Sequence, residues 1–129
     1  MLYLIESNGF LKIGYTNNLD NRMAQYGVDN PQYYLLDTAI GDRADEAYLH
    51  KLLSDYSYKG EWMIYSEEIV FKWFQYKEDK GEKIRMDEYF LCSDSDGDRI
   101  QNLVDIWLNR REDIESIYME KWNTLKKLL

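Results

Sequence analysis

The order of apolar and polar positions at the start of the chain predicts a β-hairpin. Two short apolar runs, residues 1–5 and 10–15, flank a segment that contains Ser7-Asn8-Gly9. Asn-Gly between apolar runs is the strongest short-range signal for a tight hairpin turn, because both residue types tolerate a positive φ. We therefore expect two antiparallel strands at the start of the chain.

Two positions on the second strand of this hairpin call for an explanation. Alternation along a strand puts Leu11 and Ile13 on one face, and Lys12 and Gly14 on the other. A glycine inside a strand leaves room for another group to come close to the backbone. We expect such a close approach on the face that carries Lys12 and Gly14.

The rest of the first half of the chain alternates between helical and extended patterns. A helix is predicted over residues 17–27, where Gly27 would end it, and a third strand over residues 33–40. Apolar spacing predicts a second helix over residues 43–56 and a third over 66–76, separated by a short extended segment at 61–65.

These elements predict an α/β fold of the α+β kind, with a small three-stranded antiparallel sheet flanked by helices. A charged segment with a glycine, residues 77–83, is expected to link a domain over 1–76 to an extension over 77–129. From about residue 98 the extension has a long apolar helical stripe without Gly or Pro. The stripe must be buried on the first domain, on itself as a hairpin, or on a second copy in a homodimer.

Composition limits the classes of partner and site. The net charge of −8 argues against broad binding of nucleic acid through a basic surface, but not against a local site. The single cysteine excludes an internal disulfide and favours the cytoplasm; with only one histidine beside it, a structural zinc site is disfavoured. No apolar run approaches the roughly 20 residues of a membrane span, so no membrane contact is predicted.

One acidic residue lies where an apolar residue is expected. Glu46 is one turn before Leu49 and His50, on the edge of the apolar stripe of the second predicted helix. A carboxylate that points partly inward needs a metal, a hydrogen-bond donor or a cation as partner. The alternatives are therefore a metal ion or an ion pair with Arg22 or Arg43.

The chain also carries an ordered series of motifs: Met1-Leu2-Tyr3, Lys12-Ile13-Gly14-Tyr15-Thr16, Arg22, Glu46-Ala47-Tyr48-Leu49-His50 and Gly60-Glu61-Trp62. In this order and spacing they resemble the GIY-YIG nuclease family, specifically the small branch found in phages and large viruses. The resemblance covers about residues 1–75.

The resemblance assigns most of the motifs to family positions. Tyr3 stands for the tyrosine of the first motif, whose usual Gly-Ile is missing, and Lys12 stands where the second motif usually has tyrosine. Some family members carry lysine there and remain nucleases. Arg22 matches the family arginine, Glu46 matches the metal-binding glutamate, and Tyr26 stands where many members have histidine.

This resemblance implies a metal-dependent DNA endonuclease. Glu46 would hold one Mg²⁺ or Mn²⁺ ion, and Arg22 would clamp the scissile phosphate, unless it only forms a surface ion pair. Lys12 would act as the general base toward water, directly or through Tyr3. The alternatives are a solvated strand lysine at position 12 and a packing tyrosine at position 3.

Three further residues have both a site role and a structural alternative. Tyr26 would orient the phosphate or else belong to the core. His50 would reach the leaving-group oxygen or a metal-bound water, or else be a satisfied structural histidine. Glu61 is predicted to be a charge at a strand end rather than a ligand.

The acidic run around Gly97 lacks the ligands of a calcium loop, because Cys92 and Leu103 would take its first and last positions.

A second hypothesis keeps the fold without the catalysis. The acidic surface or the C-terminal helix would then dock a protein partner, and the chain would be a binding or inhibitory module. Under the nuclease hypothesis the partner is DNA. For a phage or viral protein, the location would be the cytoplasm of the host cell.

Overall fold

The protein is represented by a computed structural model that describes residues 1–29, 32–82 and 97–110, together with Asn123, Thr124 and Lys127. The chain divides into two compact units, Met1–Ile69 and Val70–Leu129. The division lies within a helix, whereas the sequence pattern placed a domain boundary after residue 76, which stays a prediction.

Five strands form the sheet of the first unit: β1 (Leu2–Ser7), β2 (Phe10–Tyr15), β3 (Tyr33–Ala39), β4 (Ser57–Lys59) and β5 (Trp62–Ile64). Their order is β3-β1-β2-β5-β4, and each neighbouring pair is antiparallel. The α+β class is confirmed. The prediction of three strands is wrong, because β4 and β5 have three residues each and are too short to show alternation.

The helices of the described residues are α1 (Leu19–Asp29), α2 (Arg43–Leu52), α3 (Glu67–Asp79) and α4 (Gly97–Arg110), with a short 3₁₀ turn over Ser54–Tyr56. α1 continues through Gly27, which was expected to end it. Gly27 is not among the glycines with positive φ, so it remains in the helical conformation. α2 ends earlier than predicted, and Leu52 is 42% exposed although it was expected in the apolar stripe.

The turn between β1 and β2 follows the sequence pattern. Asn8 and Gly9 have φ values of 53° and 84°, as the favoured two-residue hairpin turn requires. Strand β1 lies between β2 and β3, and its residues Leu2 to Ile5 are at most 1% exposed, so both of its faces are buried. The centre of the first unit's core is therefore the hairpin predicted at the start of the chain.

The second unit contains most of α3 and all of α4. The rings of Phe74 on α3 and Trp107 on α4 are 5.8 Å apart between centroids. The apolar residues of the middle of α4 are buried within the chain: Leu103, Val104, Ile106, Trp107 and Leu108.

Several predictions fall outside the described residues. These are the ambiguous apolar segment at 86–92, the break before residue 97, and most of the helical stripe beyond Arg110. None of the helices in the described part of the chain has the length and apolar character needed to cross a bilayer.

Candidate active site

The side chains of the candidate site begin on one face of the central strands. Tyr3 on β1 is the register partner of Gly14 on β2, and Lys12 on β2 is the partner of Trp62 on β5. Directly paired residues of antiparallel strands share a face. Since Lys12 and Gly14 are two residues apart, Tyr3, Lys12, Gly14 and Trp62 all lie on the same face of the sheet.

The group that approaches Gly14 belongs to the protein itself. A Cβ atom at position 14 would overlap the hydroxyl and ring of Tyr3, with Cε2 only 2.8 Å away. The tyrosine ring therefore crosses over the glycine and fills the space beside it. The expected close approach is confirmed, and the approaching group is the ring of Tyr3.

This crossing brings the Tyr3 hydroxyl to helix α1. The hydroxyl oxygens of Tyr3 and Tyr26 are 3.1 Å apart and share a hydrogen bond. Arg22, one helical turn before Tyr26, donates from Nη1 to the Tyr3 hydroxyl over 3.5 Å. Tyr26 is therefore not only a core residue, since its hydroxyl completes a polar cluster with Arg22 and Tyr3.

The ionisation of this cluster follows from its burial. Burial raises the pKa of Tyr3 well above its usual value, and the hydrogen bond to Tyr26 raises it further, while Arg22 and Lys12 oppose the shift. Partial burial acts to lower the pKa of Arg22, but Tyr3 and Tyr26 raise it, and the net direction is upward. At neutral pH the site therefore holds a neutral phenol beside a charged guanidinium.

Lys12 lies between this cluster and a second group of residues. Its Nζ is 5.0 Å from the ring centroid of Tyr26 and 5.7 Å from that of Trp62. Its side chain is 16% exposed, and Nζ is 3.4 Å from Oε2 of Glu61. These contacts differ from those of a freely solvated strand lysine, which was the alternative considered for this position.

The second group contains three ligand-type side chains. One ligand atom each from Glu46, His50 and Glu61 lies within 4.8 Å of the other two. Glu46 and His50 are half-buried on α2, and Glu61 is exposed in the turn before β5. Arg43, one of the expected ion-pair partners of Glu46, lies over the ring of Tyr15 at 5.1 Å.

The hydrogen bond of His50 determines which of its nitrogens can bind a ligand. Nε2 is 2.6 Å from the carbonyl oxygen of Ile13. A carbonyl oxygen only accepts, so Nε2 carries the proton and Nδ1 has the free lone pair. Metal-binding histidines commonly donate their other N–H to a backbone carbonyl in this way, which fixes the tautomer and the ring orientation.

Helix α2 is held at its start by a reciprocal cap. The backbone N–H of Asp45 donates to the Asp42 carboxylate over 3.0 Å, and the N–H of Asp42 donates to Asp45 over the same distance. Glu46 follows this cap directly, and His50 is one turn later. The cap therefore fixes the end of the helix that carries both side chains.

Glu61 joins the two halves of the site. Tyr3, Lys12, Arg22 and Tyr26 form one half, and Glu46 and His50 form the other. The Glu61 carboxylate contacts Lys12 and also lies beside Glu46 and His50. It was expected to be only a strand-end charge, although the Gly-Glu-Trp motif at positions 60 to 62 already marked it.

Comparison with known proteins shows the family of the chain. The family model described as the T5orf172 domain matches residues 1–107, from β1 into α4. No curated protein and no solved structure gave a significant match.

Proposed function

Since the chain belongs to the T5orf172 domain family, a phage-associated domain related to nuclease-like folds, we propose that it is a metal-dependent DNA endonuclease of the GIY-YIG type. The observation that carries this proposal is the single cluster formed by a guanidinium, a lysine amine and three ligand-type side chains, joined through Glu61. Together these groups offer a phosphate contact, a general base and metal ligands, which metal-dependent phosphodiester hydrolysis can use. The enzyme would act in the cytoplasm of the host cell.

Arg22 supplies the contact to the scissile phosphate. A guanidinium is planar, always charged at neutral pH, and able to donate two parallel hydrogen bonds to phosphate oxygens. Its hydrogen bond to the Tyr3 hydroxyl holds it near Lys12 and the sheet face. As negative charge builds on the phosphate oxygens in the transition state, a fixed guanidinium stabilises it without reorganisation.

Lys12 and Tyr3 prepare the water that attacks. The water oxygen forms a bond to phosphorus while its proton passes to Lys12 as the general base, and the bond from phosphorus to the leaving-group oxygen breaks, with that oxygen taking up a proton from solvent. Tyr3 takes part as a neutral phenol, because burial keeps the pKa of its hydroxyl high. It is therefore not a base at neutral pH, and its buried hydroxyl contributes through the hydrogen bonds that hold Tyr26 and Arg22 beside Lys12.

The residues around Glu46 fit a divalent ion. Glu46 and Glu61 offer carboxylate oxygens, and the tautomer fixed by Ile13 leaves Nδ1 of His50 as a neutral nitrogen ligand. Oxygen ligands suit Mg²⁺ and Mn²⁺, and an imidazole is better accepted by Mn²⁺. A bound ion would supply charge stabilisation at the phosphate and lower the pKa of a coordinated water.

Plasmid nicking in the presence of Mg²⁺ or Mn²⁺ tests this function. We expect the wild type to convert supercoiled DNA to the nicked or linear form, and Glu46→Gln to be slower by about 100-fold or more, as for loss of a metal contact. Glu67→Gln removes an exposed carboxylate outside the site, at the start of α3, and serves as the matched control. Equal rates for wild type and Glu46→Gln, or no cleavage of any DNA form, would refute the proposal.

A second candidate function is a binding or inhibitory module that docks a protein partner. The net charge of −8 favours it, since an acidic surface suits a basic partner better than it suits DNA. A homodimer through the C-terminal helix would use residues beyond Arg110, because the middle of α4 is buried within the chain. Absence of cleavage together with a stable protein complex would favour this candidate over the nuclease.

A further inference from the structure

The face of the sheet that carries Lys12 continues into exposed aromatic and apolar side chains. Phe10 is two residues before Lys12 on β2 and therefore lies on the same face, and its partner on β5, Ile64, is 53% exposed. Tyr58, which is 62% exposed, stacks on Phe10 with ring centroids 4.8 Å apart and planes 26° apart. Together with Trp62 these residues form what we call the stacking surface.

The stacking surface is continuous with the candidate active site. Trp62 pairs with Lys12 in register, and its ring centroid is 5.7 Å from Lys12 Nζ. Phe10 is about 7 Å from Lys12 along the strand, at roughly 3.3 Å per residue. If a phosphate of the DNA is held near Lys12 and Arg22, the adjacent nucleotide would therefore lie over the aromatic rings.

The net charge of the protein indicates which kind of contact the adjacent nucleotide would make. A net charge of −8 disfavours binding of DNA through many phosphate contacts. Stacking of a base on an aromatic ring adds affinity that does not depend on the charge of the protein. We propose, as a deepening of the nuclease function and resting on it, that the stacking surface binds an unpaired nucleobase next to the scissile phosphate.

This assignment narrows the substrate class. In a duplex both faces of each base are covered by neighbouring bases, so only an unpaired or splayed base can offer a face to Tyr58. The preferred substrates are therefore single strands, or duplexes with a flap, gap or mismatch at the cut.

Fluorescence anisotropy with short labelled oligonucleotides tests the proposal on the full chain. The measurement uses a chelator, so that binding is observed without cleavage. We expect Tyr58→Ala to raise the Kd for single-stranded DNA about 5- to 100-fold, the loss that removal of one base stack produces. Tyr58→Trp should retain the affinity, because it keeps the aromatic face.

Tyr48→Ala is the matched control. Tyr48 is also a tyrosine, is 57% exposed, and is two residues from both Glu46 and His50 on α2. Positions two apart on a helix do not face each other, so its side chain points away from the site. We expect this variant to bind single-stranded DNA as the wild type does. Because both positions are exposed, we expect Tyr58→Ala and Tyr48→Ala to leave the thermal midpoint of unfolding nearly unchanged.

The outcomes separate this proposal from the nuclease function. Weaker binding of single-stranded DNA by Tyr58→Ala alone supports the stacking surface, even if no metal gives cleavage. Unchanged binding by Tyr58→Ala, or an equal loss in Tyr48→Ala, overturns it, even if the wild type cuts DNA. A change in sedimentation without a change in DNA binding would also overturn it and would identify the surface as a contact between protein chains.

Discussion

The position of the Tyr3 ring explains why residue 14 is a glycine and how the Tyr3 hydroxyl reaches helix α1. It crosses Gly14 so closely that no side chain fits there, and it thereby carries its hydroxyl to Tyr26 and Arg22. A glycine opposite an aromatic residue on a neighbouring strand is a known way to stabilise such a pair. The glycine and the tyrosine are therefore one feature, a packed pair that places a polar group in the site.

Replacing this glycine tests the pair. Gly14→Ala adds a methyl group where the Tyr3 ring lies, and we expect the free energy of unfolding to fall by about 1–3 kcal/mol, as in other overpacked sites. The loss should shrink when Tyr3 is also replaced by leucine, because the overlap with the ring is then removed. Urea unfolding of the two single variants and the double variant measures this coupling.

Gly27→Ala is the control for that experiment. A Cβ atom at position 27 meets only the ring of Tyr33 at an ordinary 3.6 Å, and the residue is helical. Alanine there should raise the free energy of unfolding by about 0.5–1 kcal/mol, because alanine loses less conformational entropy than glycine when the chain folds into a helix. Strictly additive losses at positions 3 and 14 would contradict the packed pair.

At the scale of single residues, the sequence predicts the types of group in the site better than their contacts. Alternation along β2 placed Lys12 and Gly14 on one face, and that assignment agrees with the pairing of Gly14 with Tyr3. The contact of Lys12 with Glu61 could not be predicted, because it depends on how β5 pairs with β2. Register between strands far apart in sequence is set by tertiary packing, which local patterns do not contain.

Helix α2 is the element on which the metal-binding proposal depends. Its first turn is fixed by the hydrogen bonds between Asp42 and Asp45. Asp42→Ala removes the side-chain acceptor at the cap, and we expect it to cost about 1 kcal/mol of stability. Because Glu46 lies in this same first turn, the affinity for Mn²⁺ should fall as well; urea unfolding and calorimetric titration measure the two effects.

Asn is the informative control at this position. Asp42→Asn keeps a side-chain oxygen that can accept from the Asp45 N–H, and asparagine is as good a cap as aspartate. Stability and Mn²⁺ affinity should then stay close to those of the wild type. A loss of Mn²⁺ affinity in Asp42→Asn equal to that in Asp42→Ala would mean that charge, and not the cap, is responsible.

The long elements were predicted from the sequence, whereas of the two shortest strands only β5 was expected, as the extended segment at 61–65. The hairpin, α1 and β3 each show their period or turn signal over enough residues to be recognised. Strands β4 and β5 have three residues each, with an irregular register between them, so no period appears. The place of Glu61 beside Glu46 could not be predicted for this reason, since it follows from that short hairpin.

The whole molecule shows how far composition alone can predict partners. The family match runs through residue 107, well past the boundary expected after residue 76, so helix α4 belongs to the part of the chain that the family shares. From the net charge of −8 we predict that the protein has no broad basic surface, and this stays a prediction. The net charge could not indicate a local site, because the position of Lys12 and Arg22 in one cluster is a property of the fold.

The same charge balance predicts how the Kd for single-stranded DNA depends on salt concentration. If single-stranded DNA is held by few cations, chiefly Lys12 and Arg22, and by stacking, log Kd should change with log salt with a slope of only about 1.4, at ~0.7 per phosphate contact. Arg22→Ala should lower this slope by about 0.7, whereas Tyr58→Ala should weaken binding with the slope unchanged. Anisotropy titrations over a range of NaCl concentrations in a chelator give both values. A slope of about 4 or more would require at least six phosphate contacts and an extended basic surface, contrary to the division of binding between two cations and one base stack.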